Sequence, residues 1–559
     1  MTLRPVGSSR LMARAFELAR SVRGSTSPNP PVGAVVVQGT QIVGEGATQP
    51  PGRPDPASQL GRPGQPASQD ETAPRPGGSH AEVMALRESG NQARGATMYV
   101  TLEPCAHYGR TPPCTLAIIE AGIARVVVAY SDPDLRVAGR GLEQLREAGI
   151  EVSLGDGAAE AAAHYEAYAC HRRTGRPFVT AKFAASLDGR IASTSGDSRW
   201  ISGPQTLQWA HQNRPLYDAM LVGVETIIVD NPQLTARPDD WQGPVPQPLR
   251  VVLDSRGRTP LDSRVLDGTD TSPTLIATTD AAPTDWRESI QSRDVDVAVM
   301  PEDPSSGGRV SLPALLDLLG QQRGVVSLLV EGGGEVLGSF FDQRLIHKVT
   351  AVIAPMIIGG DAQTAVRGRG ANRMRDVLRL NHMTVEQLGP DLLVTGYPSH
   401  PERELDVRVR PAGQSDAETV DMLLAAQIGP DSPTSSDMLA EARAGDTVVW
   451  LATMQTPRAD LSGEMANAED ILGMASVHFA TGERASLRCL AVRPDAPTMT
   501  AERLRESCEA SASGRDYQWL MLTVATASGL TDEQYKSSGY RYYRRDANGS
   551  DVLIKRLPS

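Results

Sequence analysis

Ser79-His80-Ala81-Glu82-Val83 and Thr101-Leu102-Glu103-Pro104-Cys105, the latter followed by Cys114, are the pieces of the stretch from Ser79 to Cys114 that carry chemistry. The first opens an apolar run (Val83, Met84, Ala85, Leu86) that predicts a helix, and the second follows the strand-like Thr97-Met98-Tyr99-Val100. His80, Cys105 and Cys114 offer one imidazole and two thiolates, a three-ligand set for Zn2+ that leaves the fourth tetrahedral position open for water. Glu82 lies two residues after His80, close enough to face that water without ligating the metal. A carboxylate there can carry the water's proton to a leaving amine, which makes Glu82 the candidate catalytic residue.

Composition narrows the function classes. A chain of 559 residues should hold three or more domains, each with its own core. The net charge of −12 argues against nucleic acid as a partner, which would call for a basic stripe. Five cysteines, with Cys105 and Cys114 claimed by zinc, point to a reducing compartment. Met1 to Arg20 lacks the apolar core of a signal peptide and no later run approaches a membrane span, so the expectation is a cytoplasmic protein without a membrane partner.

The His-x-Glu plus Pro-Cys arrangement is that of zinc-dependent base deaminases. Eight residues separate the cysteines, and the run Cys105-Ala106-His107-Tyr108-Gly109-Arg110-Thr111-Pro112-Pro113-Cys114 resembles the pyrimidine deaminase of riboflavin biosynthesis. Upstream, Arg10 to Val22 is patterned as an amphipathic helix, and Ser25-Thr26-Ser27-Pro28-Asn29-Pro30-Pro31-Val32-Gly33 turns the chain into a strand, Ala34 to Val37. Asn29, between prolines, is held extended with its amide projecting. The same resemblance implies that Asn29 contacts the pyrimidine and places His107 and Arg110 at the substrate. Two departures fall at the substrate mouth. Thr48 stands where the family usually has His, and Pro50 to Gly78, with eight prolines and five glycines in 29 residues, has the composition of a disordered insert.

Beyond the zinc set, Ala124–Ala129, Gly141–Ala148 and Ile150–Leu154 are patterned as strand, helix and strand, completing a layered α/β domain over residues 1–155. Ala158 to His171 is expected as one helix leading to a polar hinge, Arg173 to Pro177. Apolar runs at Phe178–Ala185, Ala219–Val222, Arg250–Leu253, Thr274–Ala277, Val295–Met300, Val325–Val330 and Lys348–Ile353 then predict a mostly parallel, doubly wound sheet over 175–397. The last but one of these runs into Glu331-Gly332-Gly333-Gly334 and a predicted helix, a place where backbone amides can approach a phosphate.

Lys182-Phe183-Ala184-Ala185-Ser186-Leu187-Asp188-Gly189-Arg190, Ser198-Arg199-Trp200-Ile201-Ser202-Gly203, Leu221-Val222-Gly223-Val224-Glu225-Thr226 and Asp230-Asn231-Pro232-Gln233-Leu234-Thr235-Ala236-Arg237 occur in that order. They resemble the riboflavin reductase domain, which has a dihydrofolate-reductase-like fold and uses NADPH. From Leu11 to Gly396 the chain therefore resembles the bifunctional riboflavin-biosynthesis deaminase/reductase. The resemblance implies that Ala184, Trp200, Thr226, Asp230, Ser255 and Gly333 line the NADPH site. It implies that Ser198, Arg214, Leu234, Arg237 and Glu331 hold the phosphorylated substrate, and that the protein is a homo-oligomer through its reductase domain. Guanidinium groups at 214 and 237 suit a phosphate.

Pro398-Ser399-His400-Pro401 is patterned as a linker, and a third α/β unit over 404–559 follows. Val407 to Ala412 and Gln534 to Tyr540 resemble N-acetyltransferases of the GNAT type, with Tyr535 where many of those enzymes place a general acid. The glycine-rich turn that wraps the CoA pyrophosphate is replaced by Asp495-Ala496-Pro497-Thr498-Met499-Thr500-Ala501-Glu502. The expected fold class is thus a cytidine-deaminase-like three-layer domain, a dihydrofolate-reductase-like domain and a C-terminal GNAT-like α/β domain with a degenerate CoA loop. The expected activity is zinc-dependent deamination of a diaminopyrimidinone ribosylamine phosphate, then NADPH-dependent reduction of its ribosyl group. The alternatives are a paralogue acting on a related pyrimidine, with the last domain a non-catalytic binding module, and a scaffold whose tail binds a partner.

Overall fold

The computed structural model describes residues 9–50, 78–108, 112–134, 139–241, 243–303, 306–374 and 377–399, and parts of the chain between 408 and 557. Most of the insert (51–77), Arg110 and the stretch 400–407 lie outside the described residues.

The first sheet is built from β1 (Gly33–Gln38), β2 (Gln41–Ala47), β3 (Thr97–Val100), β4 (Arg125–Val128) and β5 (Glu151–Leu154), in the order β2-β1-β3-β4-β5. β1 runs antiparallel to both β2 and β3, whereas β3, β4 and β5 are parallel. Helix α1 (Arg10–Ser21) packs against β1 and buries Ala15, Phe16 and Ala19 of the stripe expected from its periodicity, while the fourth member, Leu11, is only partly buried and Met12 is buried in its place. Burying a side chain the size of Phe16 contributes roughly 1.5–3 kcal/mol. Helix α2 (Ala81–Ser89) lies on β2, and Gly46 explains how closely: a Cβ there would stand 2.1 Å from the Ala81 carbonyl oxygen. That contact seats the start of α2. Helix α3 (Cys114–Ala121) packs beside α2, and α4 (Arg140–Glu147) packs beside α3.

The segment expected as one helix is two, α5 (Ala158–His164) and α6 (Glu166–Thr174), broken at Tyr165. The break has a packing cause. The Tyr165 ring is buried and its hydroxyl lies 2.6 Å from Thr101 Oγ1, a contact a continuous helix would not make. The expected hinge is also pinned, because Arg176 makes a two-bond ion pair with Asp317.

The second sheet contains β6 (Phe178–Ser186), β7 (Ala219–Gly223), β8 (Leu249–Leu253), β9 (Thr274–Thr278), β10 (Asp296–Val299), β13 (Ser327–Val330), β14 (Lys348–Ala354), β15 (Arg379–Leu388) and β16 (Asp391–Ser399). A small ribbon, β11 (Glu302–Asp303) with β12 (Arg309–Val310), stands apart. The order is β10-β9-β8-β7-β13-β6-β14-β16-β15, parallel from β10 through β14 and antiparallel at the end. Along β7, Ala219 and Leu221 enter one hydrophobic cluster while Met220 and Val222 enter another on the opposite face. Covered faces on both sides are why these strands are continuous apolar runs. The chain steps outward from β7 to β10 and returns to β13, so the C-terminal end of β13 is a topological switch point.

The β15–β16 hairpin was not foreseen. β15 has seven of its ten residues exposed and none buried, so it lacks the apolar alternation that marks a strand. As a result Pro398 and Ser399, expected in a linker, are paired with Leu380 and Arg379.

The third sheet orders β17 (Arg408–Pro411), β18 (Thr447–Ala459), β19 (Met465–Phe479), β20 (Arg484–Val492), β21 (Trp519–Thr523), β22 (Arg541–Arg545) and β23 (Asp551–Arg556) as β17-β18-β19-β20-β21-β23-β22. Among the described residues its one parallel pair is β20 with β21, joined across helix α12 (Thr500–Ser513). Residues 493–499 and Tyr535 are outside the described residues.

Candidate active sites

The His80, Cys105 and Cys114 side chains converge, with their ligand atoms all within 4.8 Å of one another. His80 caps α2 from an extended backbone, Cys114 begins α3, and Cys105 sits in the loop after β3. His80 Nδ1 is 3.1 Å from Cys114 Sγ and 3.6 Å from Cys105 Sγ. A tetrahedral zinc with bonds of ~2.3 Å to sulfur and ~2.0 Å to nitrogen sets nitrogen–sulfur edges at about 3.5 Å, so the Cys105 edge matches the ion, the Cys114 edge is a few tenths of an ångström short, and the imidazole and two thiolates are donors that zinc takes. The Cys114 amide donates to Cys105 Sγ at 3.3 Å. Hydrogen bonding from Cys114 and His80 draws the Cys105 thiol down to about 4, against the cost of burial. Glu82 is buried on the first turn of α2, and burial pushes its carboxyl up.

Glu103, quoted in the motif without a role, is a buried brace. Its carboxylate accepts from Ser131 Oγ (2.6 Å) and from the amides of Asp132 (3.0 Å), Gly139 (3.0 Å) and Gly141 (2.9 Å). The Asn29 loop is braced as well. The Asn29 amide donates to the Thr26 carbonyl, and Thr26 Oγ1 returns a bond to the Asn29 carbonyl, each at 3.0 Å. Thr48 donates to the Pro30 carbonyl (3.2 Å) and accepts from the Val32 amide (3.0 Å). His164 Nε2 and the Tyr165 hydroxyl both reach the Pro31 carbonyl, at 2.9 and 3.3 Å. Neither His164 nor Tyr165 carried a motif signal, since their partner is a backbone carbonyl far away in sequence. His107 is exposed, and Arg110 is outside the described residues.

At the switch point, Glu331 stands between Arg214 Nη2 (2.9 Å) and Lys182 Nζ (3.5 Å). Burial pushes its carboxyl up, but the two cations prevail and hold it at about 2. Arg214 also donates to the Thr235 carbonyl (3.2 Å), while its buried Nε has no hydrogen-bond partner among the described residues. Lys182 had been quoted without a role, and the need of a buried carboxylate for counter-charge is the signal that could have found it. Arg237 is exposed in the same loop. Leu234 is in the left-handed region (φ 55°) and its side chain belongs to the core, so only its backbone can face a ligand.

Ala184 lies near the end of β6, Ser198 and Trp200 follow in the next loop, and Thr226 and Asp230 are on α8 (Val224–Asp230). Ser255 follows β8, where its hydroxyl accepts from the Val310 amide at 3.0 Å. Gly333 caps α11 (Gly334–Asp342). The glycines here differ. A Cβ on Gly332 or Gly334 would stand 2.7 Å from Val336 or 2.5 Å from the Thr364 carbonyl, whereas one on Gly333 would meet nothing within 4 Å. Gly333 thus faces open space at a helix N-terminus, a cradle that fits the phosphates of NADPH.

A three-ligand zinc set beside a buried carboxylate is the donor set of a zinc-dependent deaminase, and a parallel sheet with a buried carboxylate paired to two cations at its switch point is the setting of a nucleotide-dependent enzyme. A family model for the cytidine and deoxycytidylate deaminase zinc-binding region matches residues 7–130, and one for the RibD C-terminal domain matches residues 177–394. The riboflavin biosynthesis protein RibD of Bacillus amyloliquefaciens is 39% identical over 389 residues, covering 69% of this chain and 95% of that protein. The Escherichia coli (strain K12) protein of the same name is 36% identical over 390 residues, covering 68% and 96%. Among solved structures, Acinetobacter baumannii RibD (form 2) superposes with a TM-score of 0.58 at 35% identity, over 69% of this chain and 98% of that one. A diaminohydroxyphosphoribosylaminopyrimidine deaminase/5-amino-6-(5-phosphoribosylamino)uracil reductase from Thermotoga maritima does so with a TM-score of 0.56 at 33% identity, over 69% and 97%. The chain belongs to the RibD family of riboflavin biosynthesis, and is a bifunctional deaminase and reductase whose cofactors are Zn2+ and NADPH.

Proposed function

We propose that the chain hydrolytically deaminates 2,5-diamino-6-ribosylamino-4(3H)-pyrimidinone 5′-phosphate and then reduces the ribosyl group of the product to ribityl. The observation that carries this reading is the convergence of His80, Cys105 and Cys114 beside the buried Glu82. His80, Cys105 and Cys114 would hold the zinc, which supplies the Lewis acidity that makes water nucleophilic at neutral pH. Glu82 takes the proton from the attacking water and delivers it to the departing ammonia. Asn29, on its braced loop, orients the pyrimidine, with His107 and Arg110 on the substrate side.

In the reductase, NADPH supplies the reducing equivalent, and the chain's residues supply orientation. Gly333 offers its amide to the cofactor phosphates, with Ala184, Trp200, Thr226, Asp230 and Ser255 along the rest of the cofactor. Arg214, through its free Nε, and Arg237 bind the substrate phosphate, assisted by Ser198 and the Leu234 backbone. Glu331, kept ionised by Arg214 and Lys182, accepts from sugar hydroxyls.

We further infer units at 1–155, 175–397 and 404–559, the last an acetyltransferase-like module that acts as a binding module. Its strand order and the single parallel junction bridged by α12 support that likeness. Tyr535 and residues 495–499 of the turn that would hold CoA lie outside the described residues, Thr500 begins α12, and the sequence from 495 to 502 lacks the glycines such a turn needs. The edge strand β15, with Met383 and Val385 more than half exposed, supports a homo-oligomer through the reductase. No helix among the described residues is long and apolar enough to cross a membrane, and five cysteines in 559 residues, two of them assigned to zinc, suit the cytoplasm.

Glu82→Gln tests the deaminase reading. It should retain zinc and lose about 10²–10⁴-fold in ammonia release. Loss of zinc from this variant would make Glu82 structural and defeat the assigned role.

A further inference from the structure

We propose that Arg250 and Gln247 are positioning residues of the reductase, which clamp the backbone of loop 231–237 so that it presents Arg237 and the Leu234 backbone to the substrate phosphate. The inference rests on the proposed assignment of that loop to the substrate.

Loop 231–237 contains no helix or strand, so its order must come from side chains. Arg250 lies on β8 and is buried on the face shared by Met220, Val222, Val252 and Leu234. It forms no ion pair among the described residues. Its guanidinium instead donates to backbone carbonyls, from Nη1 to Gln233 (3.1 Å) and from Nη2 to Asp267 (3.0 Å) and Ser272. Burial draws this guanidinium down to about 10. A buried cation without a counter-ion is costly, and a simple core position would be better filled by an aliphatic residue. Retaining Arg here makes sense if its donors are needed, because only a planar fork can tie carbonyls from two separate segments at once.

The carbonyl of Gln233 directly precedes Leu234, whose backbone is in the left-handed region. Two residues further on, the Gln247 amide closes a ring on Ala236. Its Oε1 accepts from the Ala236 amide at 2.8 Å and its Nε2 donates to the Ala236 carbonyl at 2.9 Å. Between these anchors, Thr235 is held by the Arg214 that also binds Glu331. At the loop's start, Asn231 Oδ1 accepts from the Arg264 amide at 2.8 Å. Arg237 therefore projects from a peptide segment fixed on its near side. Such a loop meets a phosphate without first being ordered, so the clamp acts on substrate binding more than on the chemical step.

The test uses the full chain as Arg250→Lys, Gln247→Ala and Arg237→Ala, with KM and kcat of the reductase measured for the deaminated substrate and for NADPH. Ammonia release and zinc content report on the deaminase. Arg250→Lys and Gln247→Ala should raise the substrate KM by roughly tenfold and severalfold respectively, with kcat and the NADPH KM within about threefold and the deaminase unchanged. A compensating Gln247→Asn should not restore KM, because its shorter amide cannot reach both Ala236 atoms. Unchanged KM in folded Arg250→Lys and Gln247→Ala, alongside a raised KM in Arg237→Ala, overturns the clamp alone. Unchanged KM in Arg237→Ala overturns the substrate assignment beneath it, and the clamp's function with it.

Discussion

The zinc site and the reductase pocket stand on opposite footings. In the first, the reacting groups are the protein's own side chains, drawn from the start of α2, the loop after β3 and the start of α3, all between His80 and Cys114. In the second, the cofactor carries the chemistry. On the proposed reading the protein contributes a backbone amide at Gly333, the Glu331 carboxylate held between Lys182 and Arg214, and a loop tied by Arg250. A site made of reactive side chains depends on residue identity, whereas a site made of positioned backbone depends on the tertiary contacts that place it.

Removing a zinc ligand is the most drastic way to probe that contrast. Cys114→Ala should abolish zinc binding and deamination while the reductase, supplied with deaminated substrate, keeps its rate within about twofold, since each sheet has its own core. Joint loss of both activities would mean the sites are not separable. The glycines before α11 give a finer probe. Gly334→Ala drives a methyl into the Thr364 carbonyl and should cost about 1–3 kcal/mol of stability. Gly333→Val should leave the melting temperature alone and raise the NADPH KM by about tenfold, or ~1.4 kcal/mol. A normal KM in Gly333→Val would remove the phosphates from that cradle.

The Asn29 loop adds a pH signature. Burial holds His164 at about 4, below its ordinary 6.5, so the unfolded chain binds its proton more readily. His164 therefore contributes full stability above pH 6.5 and loses it as pH falls to about 4, up to ~3 kcal/mol over that window. Asp132, pushed up to about 6 by burial, works in the opposite direction, which makes the comparison with His164→Gln necessary. Thermal melts of the parent should fall more steeply than those of the variant between pH 6.5 and 4, and parallel curves would refute the assignment. The smallest effect is expected from deleting 404–559, which should leave both activities within about twofold.

The contrast also explains what the sequence made legible. The convergence of His80, Cys105 and Cys114 was readable because metal chemistry permits few residue types at few spacings. The parallel strands were readable because burial on both faces makes them apolar runs, as with Ala219 to Gly223. β15 was not, since an exposed edge strand carries no pattern. The helix break at Tyr165 was missed because its causes, Thr101 and Pro31, are distant in sequence. Arg250 was quoted only as the start of a strand, and nothing local distinguishes a guanidinium on solvent from one buried against three carbonyls.

The central claim is that one chain performs both steps, with deamination first. Purified protein incubated with the diaminopyrimidinone ribosylamine phosphate, and followed by mass spectrometry with and without NADPH, tests it directly. Without NADPH the account predicts a single product in which oxygen has replaced the amino group, and with NADPH that product should give way to its ribityl form. A reduced product that still carries the amino group, or no ammonia release from zinc-replete protein, would contradict it.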